Sequence, residues 1–559
     1  MSKEISMQQK EYQMEDANLE KTPGTPPNGR EGVLAYKKED VSHLETLNLS
    51  DSEAEELAAL EKSAKLTGYV IYLSCIAGIA GFLFGYDTGV IGVALVSMTR
   101  DLGITNHVTQ EWVTSSLSCG ALVGALIGGT CSDKYGRKRV LLVGDLWFVL
   151  GAVLIAATPT TSKGVIMVFV GRIILGFGVG IASAVAPVYI AEVAPTRFRA
   201  ALITIQSVAI TGGQFISYIL GIPLDGRNGW RILFAIAIVP AIIQGVAIHY
   251  LPESPRYDLI IGNRDRARKT LANVYKVEQD SRLVTLKFEQ LSGLVSLVQT
   301  FREDHSTMQQ FKLIATQGHL RRPALTALGL CVFQQLCGFN TLMYYSGIIF
   351  SAVGFKNPAT AGLFVPGCNV AFTVLAMFIL DRVGKRRILI LGYPGMIAGL
   401  LLAAVAFAKM TEGTGTGALI ADYEYPKKWV NLMFGAFVIF IASYATGLGN
   451  IPWSGNELFP LHLRGTGAAI LSSGVWAANI FISASFLSIM EGIGAAGAFG
   501  FYGGICVVGY IFVIFCYPEV AGLSLEEIEE IFKHGFGIKK SQAIRRAHKA
   551  AKENYASQA

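Results

Sequence analysis

The chain has 559 residues, 52% of them hydrophobic and only 16% charged, with a formal net charge of +6. Its mean hydropathy is +0.45. This balance excludes a soluble multidomain protein of the same length. The basic excess comes from short loops between apolar runs and carries no nucleic-acid signal.

The first 66 residues are polar, with eight Lys/Arg against fourteen Asp/Glu, and read as a largely disordered tail. No cleavable signal peptide is visible, so the first apolar run is a span that stays. That run goes from about Tyr69 to Val96 and contains GFLFGYDTGVIG, whose one charged residue is Asp87. Further runs begin near Trp112, Val140, Val165, Ala200, Trp230, Pro323, Ala361, Ile388, Val430, Gly467 and Ala496. Each is long enough to cross a hydrocarbon core of roughly 30 Å, which gives twelve expected spans.

The loops orient the spans. DKYGRKR (Asp133 to Arg139) and DRVGKRR (Asp381 to Arg387) are dense in Lys and Arg, and Arg197, Arg199 and Arg464 mark the same side. The long interior loop, Pro252 to Arg322, holds twelve basic and eight acidic residues and falls there too. Positive-inside bias puts this side and both termini in the cytosol. The sequon at Asn48 is then cytosolic and unglycosylated.

The same loop divides the chain into halves that repeat. Asp133 pairs with Asp381, Glu192 with Glu457, Arg199 with Arg464 and Pro252 with Pro518, at offsets of 248, 265, 265 and 266. The expected organisation is a cytosolic tail (1–67), a six-helix half (68–251), a cytosolic linker with short helices (252–322), a second six-helix half (323–517) and a cytosolic helix and tail (518–559). Two parallel six-helix halves point to a transporter whose site lies at the midplane between them. LSLEEIEEIF (Leu523 to Phe532) reads as a cytosolic helix packing near the junction of the halves, with a disordered tail beyond Lys539.

Other signals are bland. Seven of the eight cysteines fall in spans and Cys131 at a span end, none with metal-ligand spacing. GIGAAG (Gly492 to Gly497) fits a dinucleotide fingerprint but joins two membrane helices and follows no strand. The histidines form no paired ligand spacing, and no catalytic set is placed. Neither a metal, a cofactor nor an enzymatic activity is expected.

DKYGRKR, GRIILGFGVG (Gly171 to Gly180), PESPR (Pro252 to Arg256), QQLCGFN (Gln334 to Asn340) and NIPWSGNELFP (Asn450 to Pro460) resemble, in order, the motifs of the sugar porter family of the major facilitator superfamily. The resemblance covers roughly Gly68 to Phe532. TGGQF (Thr211 to Phe215), GFNTLMYYSGIIF (Gly338 to Phe350) and GFKNP (Gly354 to Pro358) look most like fungal myo-inositol/proton symporters. Hexose, pentose and other polyol porters share much of this wording. The implied fold is an all-α membrane protein, the major facilitator fold of twelve transmembrane helices.

The resemblance implies proton symport, because proton-coupled sugar porters carry Asp at the position of Asp87. A carboxylate in a dry bundle is costly to keep ionised, and Arg172 matches the family's arginine partner. Asp145, a second acid inside a span, is the alternative carrier. A polyol presents hydroxyls all round its ring, and amides suit it because each both donates and accepts. Gln334 and Asn340 would lie about 120° apart on a regular helix, and Gly338 permits a break between them. The resemblance carries over Gln206, Gln334, Gln335, Asn340, Asn369, Trp453 and Asn479 as sugar contacts, with Tyr344 and Tyr345 as gate residues. Gln214 and Asn450 depart from common hexose-porter wording and are candidates for polyol selectivity.

Asp133, Arg137, Glu192, Arg199, Asp381, Arg386, Glu457 and Arg464 are expected at cytosolic helix ends, as a charge network that breaks on inward opening. Glu253 and Arg256 are expected to join it. The function expected is uptake of myo-inositol with protons across a plasma membrane, by a chain that works as a monomer in the bilayer. A sugar sensor of the same fold is the reading from another class. Sensors of this fold often carry a much longer C-terminal extension, whereas 41 residues follow Pro518 here.

Overall fold

Among the described residues, twelve helices are long and apolar enough to cross a membrane. They are α1 (Gly68–Leu102), α2 (His107–Tyr135), α3 (Arg137–Ala156), α4 (Gly164–Val193), α5 (Thr196–Gly221), α6 (Gly229–Tyr250), α7 (Gly318–Ala352), α8 (Pro358–Leu380), α9 (Lys385–Thr411), α10 (Lys427–Leu458), α11 (Arg464–Ser483) and α12 (Phe486–Cys516). The computed structural model describes residues 49–161, 163–224, 226–412, 419–420, 423–521, 523, 525–533 and 535–558. Asn48 and the rest of residues 1–48 lie outside the described residues. We call the end of the bundle where α1 begins the terminal face, and the opposite end the distal face.

Each half is held by close helix pairs. In the first, α2 runs along α4 and α1 along α5; in the second, α9 packs on α10 and α12, and α7 on α11. The GRIILGFGVG motif explains the first pairing. A Cβ on Gly176 would sit 2.0 Å from the Leu117 carbonyl oxygen of α2, so only a bare backbone permits this approach. Across the seam α2 meets α11, α5 meets α8, and α1 meets the distal part of α7. Leu146, Ile166, Phe378, Leu391 and Phe515 remain exposed, as an apolar belt facing lipid requires.

Two spans are broken where the sequence supplies the means. α7 consists of Gly318–Leu336 and Phe339–Ala352, joined through Gly338 at φ +90°. α10 is regular over Lys427–Ser443, takes a π turn at Tyr444–Leu448 and continues as a 3₁₀ stretch at Ile451–Leu458. Pro452 cannot donate to the helix ladder, which fits the tighter winding there. The GIGAAG segment lies within α12, where Gly494 departs from helical geometry (φ 73°, ψ 166°).

The linker forms helices Pro255–Ile260, Arg264–Tyr275, Arg282–Asp304 and Thr307–Thr316. Its longest helix touches both halves. Arg302 pairs with Asp133 of α2 at 2.6 Å, and Phe301 lies 4.4 Å from the ring of His462, between α10 and α11. Burial, with His305 and His319 nearby, pushes His462 down to about 4, so it docks as a neutral ring.

The described parts of both flanking segments contain helices where disorder was expected. Asp51–Ser63 is a helix. Glu53 accepts from the Ser50 N–H at 3.0 Å, Arg282 pairs with Glu53 and Glu56 at 3.1 and 3.0 Å, and Lys287 pairs with Glu61 at 2.8 Å. Arg282 and Lys287 lie more than 200 residues away, so local composition does not announce them. Ile538–Gln558 is also helical. Ser541 donates to the Glu519 carbonyl, Arg545 faces Glu519 at 3.6 Å and Lys540 pairs with Glu530 at 2.8 Å. Helix Leu525–Phe532 packs on α7 and α10 of the second half rather than at the junction. Arg322 donates to the Phe532 and Lys533 carbonyls at 2.9 and 2.8 Å, closing its C-terminus.

Candidate substrate and proton site

The break in α7 brings the amides together. On a continuous helix Gln335 and Asn340 would point about 140° apart. Around Gly338 the chain turns, and Asn340 Nδ2 donates to Gln335 Oε1 at 2.5 Å. Asn479 of α11 donates to the same oxygen at 2.8 Å, and Tyr344 shares a hydrogen bond with Asn479 at 3.2–3.3 Å. Gln334 donates to the Gly449 carbonyl at 2.8 Å, freed from the helix ladder by the irregular winding of α10. Trp453 donates its indole N–H to that same carbonyl at 3.0 Å and leaves its ring partly exposed. An apolar face thus stands beside a set of paired amides.

From the first half, Gln214 of α5 accepts from Asn369 of α8 at 2.9 Å across the seam. Gln206 is buried against Gly81 of α1, and its Oε1 has no hydrogen-bond partner among the described residues. Tyr345 is fully buried and donates to the Ser483 carbonyl at 2.5 Å. Asn450 turns away from the amide set and donates to the Ala445 carbonyl of its own π turn at 2.6 Å. Ser118, which the sequence reading missed, donates to Asn479 Oδ1 at 2.6 Å from α2.

Asp87 and Arg172 lie on α1 and α4, both buried, with Arg172 Nη1 3.6 Å from Asp87 Oδ1. Neither Asp87 oxygen accepts a hydrogen bond from the described residues. Arg172 Nη2 instead donates to the Thr114 carbonyl at 3.3 Å. The pair is therefore in Coulombic contact but not locked by hydrogen bonds, the weaker arrangement for a buried pair. Asp145 is also buried, on α3 facing Gly245 of α6, and its Oδ2 has no partner among the described residues.

The terminal-face charges pair within each half. Arg137 holds Asp133 at 2.8 Å and Glu192 at 2.8 Å, and Arg256 reaches Glu192 at 4.0 Å. Glu253 accepts the Arg137 and Ser254 N–H groups, each at 3.0 Å. Gly136, at φ +94°, makes room: a Cβ there would sit 2.5 Å from Glu253 Oε2. The second half repeats this arrangement. Gly384 has φ +98°, its Cβ would sit 2.6 Å from Glu519 Oε2, and Glu519 accepts the Arg386 N–H at 3.1 Å. The partner of Glu457 is Lys385, at 2.8 Å. Arg386 points its guanidinium at the carbonyls of Val513, Ile514 and Tyr517. The 248-residue offset pairs Arg137 with Lys385, a signal legible in the sequence. The Asp381 side chain lies outside the described residues; Arg199 and Arg464 open the helices of α5 and α11.

Among the described residues, a set of hydrogen bonds between the halves runs from the middle of the bundle to the distal face. Besides Ser118–Asn479 and Gln214–Asn369, Tyr218 donates to the Met343 carbonyl at 2.9 Å and meets Ser346 at 2.5 Å. Glu111 of α2 accepts from Ser488 of α12. These contacts bridge the distal side of the seam.

A family model described as sugar (and other) transporter matches residues 73–532. Myo-inositol transporter 1A of Cryptococcus neoformans var. grubii is 53% identical over 531 residues, covering 94% of this chain and 93% of that protein. Myo-inositol transporter 1 of Saccharomyces cerevisiae is 37% identical, with 87% and 82% covered. Among solved structures, the inward-open xylose transporter XylE from E. coli is 25% identical, with 83% of this chain and all of that chain covered at a TM-score of 0.66. These relatives are named transporters, not enzymes. With the matched segment running from within α1 to beyond α12, the chain belongs to the sugar transporter family.

Proposed function

We propose that this chain imports myo-inositol together with protons by alternating access, through a site at mid-depth between its two halves. The terminal face is cytosolic in this reading, the membrane is the plasma membrane, and one chain is the working unit. The relatives' names support the substrate. The buried Asp87–Arg172 pair, 3.6 Å apart and free of mutual hydrogen bonds, carries the coupling. A proton added to Asp87 removes the attraction that holds Arg172, and loss of that proton restores it.

Gln334, Gln335, Asn340 and Asn479 supply amides that satisfy one another without substrate and can exchange those bonds for polyol hydroxyls. Leaving such groups buried and unpaired would cost about 1–3 kcal/mol each. Trp453 offers its ring to the CH face of the polyol. The charge clusters around Arg137 and Lys385 hold each half as one body while the seam rearranges.

The test is uptake of labelled myo-inositol by vesicles holding the purified protein, with and without an inward proton gradient. Accumulation above equilibrium that collapses with a protonophore is expected. Uptake that only equilibrates would overturn the coupling. Uptake of hexoses, pentoses or other polyols in place of myo-inositol would overturn the substrate. Binding without uptake would leave the sensor reading.

A further inference from the structure

Glu111 is a buried carboxylate that neither the proton pair nor the amide set uses. It sits near the distal start of α2, in the first half. Its partner is Ser488, the third residue of α12 in the second half. Ser488 donates its N–H to Glu111 Oε1 at 2.7 Å and its hydroxyl to Oε2 at 2.6 Å. The first N–H groups of a helix have no intrahelical acceptor and carry its positive end. The carboxylate therefore answers both the unsatisfied donor and the dipole of the first part of α12, the helical stretch that precedes the break at Gly494.

The receiving end is fixed to its own half. Tyr345 of α7 donates to the Ser483 carbonyl at the end of α11 and stacks on Phe486, the first residue of α12, with centroids 5.3 Å apart. The α11–α12 turn thus moves with α7, and Glu111 is held across the seam. Separation of α2 from α12 at the distal face strips the carboxylate of both bonds.

We propose that Glu111 and the N-terminus of α12 form the distal latch of the transporter, a positioning contact that favours the distal-closed state. The proposal rests on the alternating-access reading. It names the contact that must break on distal opening, and its test needs no substrate.

Val96 of α1 reports on the seam: it is half-buried, with Cγ2 3.2 Å from where a Cβ on Gly347 of α7 would lie. Val96→Cys is reacted with a membrane-impermeant thiol reagent supplied from the distal side of vesicles. Combined with Glu111→Ala, the rate is expected to rise at least about tenfold, since even one of the two lost charge-assisted bonds is worth that much. Smaller rises are expected with Glu111→Gln, which keeps an acceptor, and with Ser488→Ala, which keeps the backbone donor. Native Cys337, buried in the second half, is the control and should stay unreactive.

Unchanged rates in Glu111→Gln and Ser488→Ala, variants that preserve size and fold, would overturn the latch. So would a rise at Val96→Cys matched by a rise at Cys337, which would indicate general loosening. A rise confined to Val96→Cys in a protein that does not carry myo-inositol would keep the latch and remove the substrate reading alone.

Discussion

Ser118 and Asn479 face each other across the seam at 2.6 Å, and one turn earlier on α2 the Thr114 carbonyl receives Arg172. One helix face therefore touches both the proton pair and the amide set. Ser118→Ala removes a hydrogen bond worth about 1 kcal/mol without altering any charge. Substrate KM should change only a few-fold, while its dependence on outside pH flattens. A KM–pH profile identical to that of the parent protein would remove Ser118 from the coupling.

Asp87→Asn keeps the shape of the site and removes its titration. Uphill accumulation should vanish, while exchange of labelled for unlabelled substrate continues. Arg172→Ala should be more damaging, because it leaves a buried carboxylate without its cation, at a cost of about 3–5 kcal/mol. Adding Asp87→Asn to Arg172→Ala should recover part of the lost thermal stability. Equal accumulation by Asp87→Asn and parent vesicles would exclude Asp87 as the proton carrier and turn attention to Asp145.

Gln214 and Asn450 are equivalent candidates for polyol selectivity in the sequence, and the structure separates them. Gln214 meets Asn369 across the seam at 2.9 Å, whereas Asn450 bonds the Ala445 carbonyl of its own π turn. Gln214→Ala should raise KM for myo-inositol about tenfold, a loss of roughly 1.4 kcal/mol, with a smaller effect on hexoses. Asn450→Ala should lower Tm with little change in the ratio between substrates. The reverse pattern in competition uptake would reassign selectivity to α10.

These distinctions show where sequence reading stops. The twelve spans were legible because a bilayer demands long apolar runs, and the break at Gly338 because glycine alone tolerates that φ. The repeat was legible as well, yet it pairs Arg137 with Lys385, while Arg386 was the residue singled out. Glu111 and Ser118 gave no local signal, since each acquires its role from a partner more than 350 residues away. The helix at Asp51–Ser63 was hidden for the same reason: its sequence is polar, and its partners lie in the linker and at the start of α5.

The α2–α4 contact makes a paired stability prediction. A Cβ on Gly176 would stand 2.0 Å from the Leu117 carbonyl oxygen, and that atom is backbone that cannot swing aside. Gly176→Ala should lower Tm sharply or prevent recovery of folded protein. On the same helix pair, a Cβ on Gly129 of α2 meets nothing within 4 Å. Gly129→Ala should be neutral or stabilising by up to about 1 kcal/mol, the helix-propensity difference. Equal tolerance at both positions, read by thermal unfolding in detergent, would contradict the close approach.

The docked N-terminal helix makes a pH prediction. Burial raises the Glu61 carboxyl, but Lys287 at 2.8 Å, with hydrogen bonds from Tyr275 and Thr196, outweighs it and holds Glu61 below the ordinary carboxylate value. A depressed value in the docked state means that ionised Glu61 favours docking above the ordinary carboxylate range. That contribution is lost as pH falls through the docked value, when the carboxyl takes up a proton. Proteolysis after Lys62 and Lys65 should be slow near neutral pH and accelerate on acidification, using an acid-stable protease and a scrambled-site control for its own pH response. Glu61→Gln should undock the helix at neutral pH and abolish this dependence. Protection in Glu61→Gln equal to that of the parent at every pH would show that the helix is held by Glu53, Glu56 and Arg282 alone.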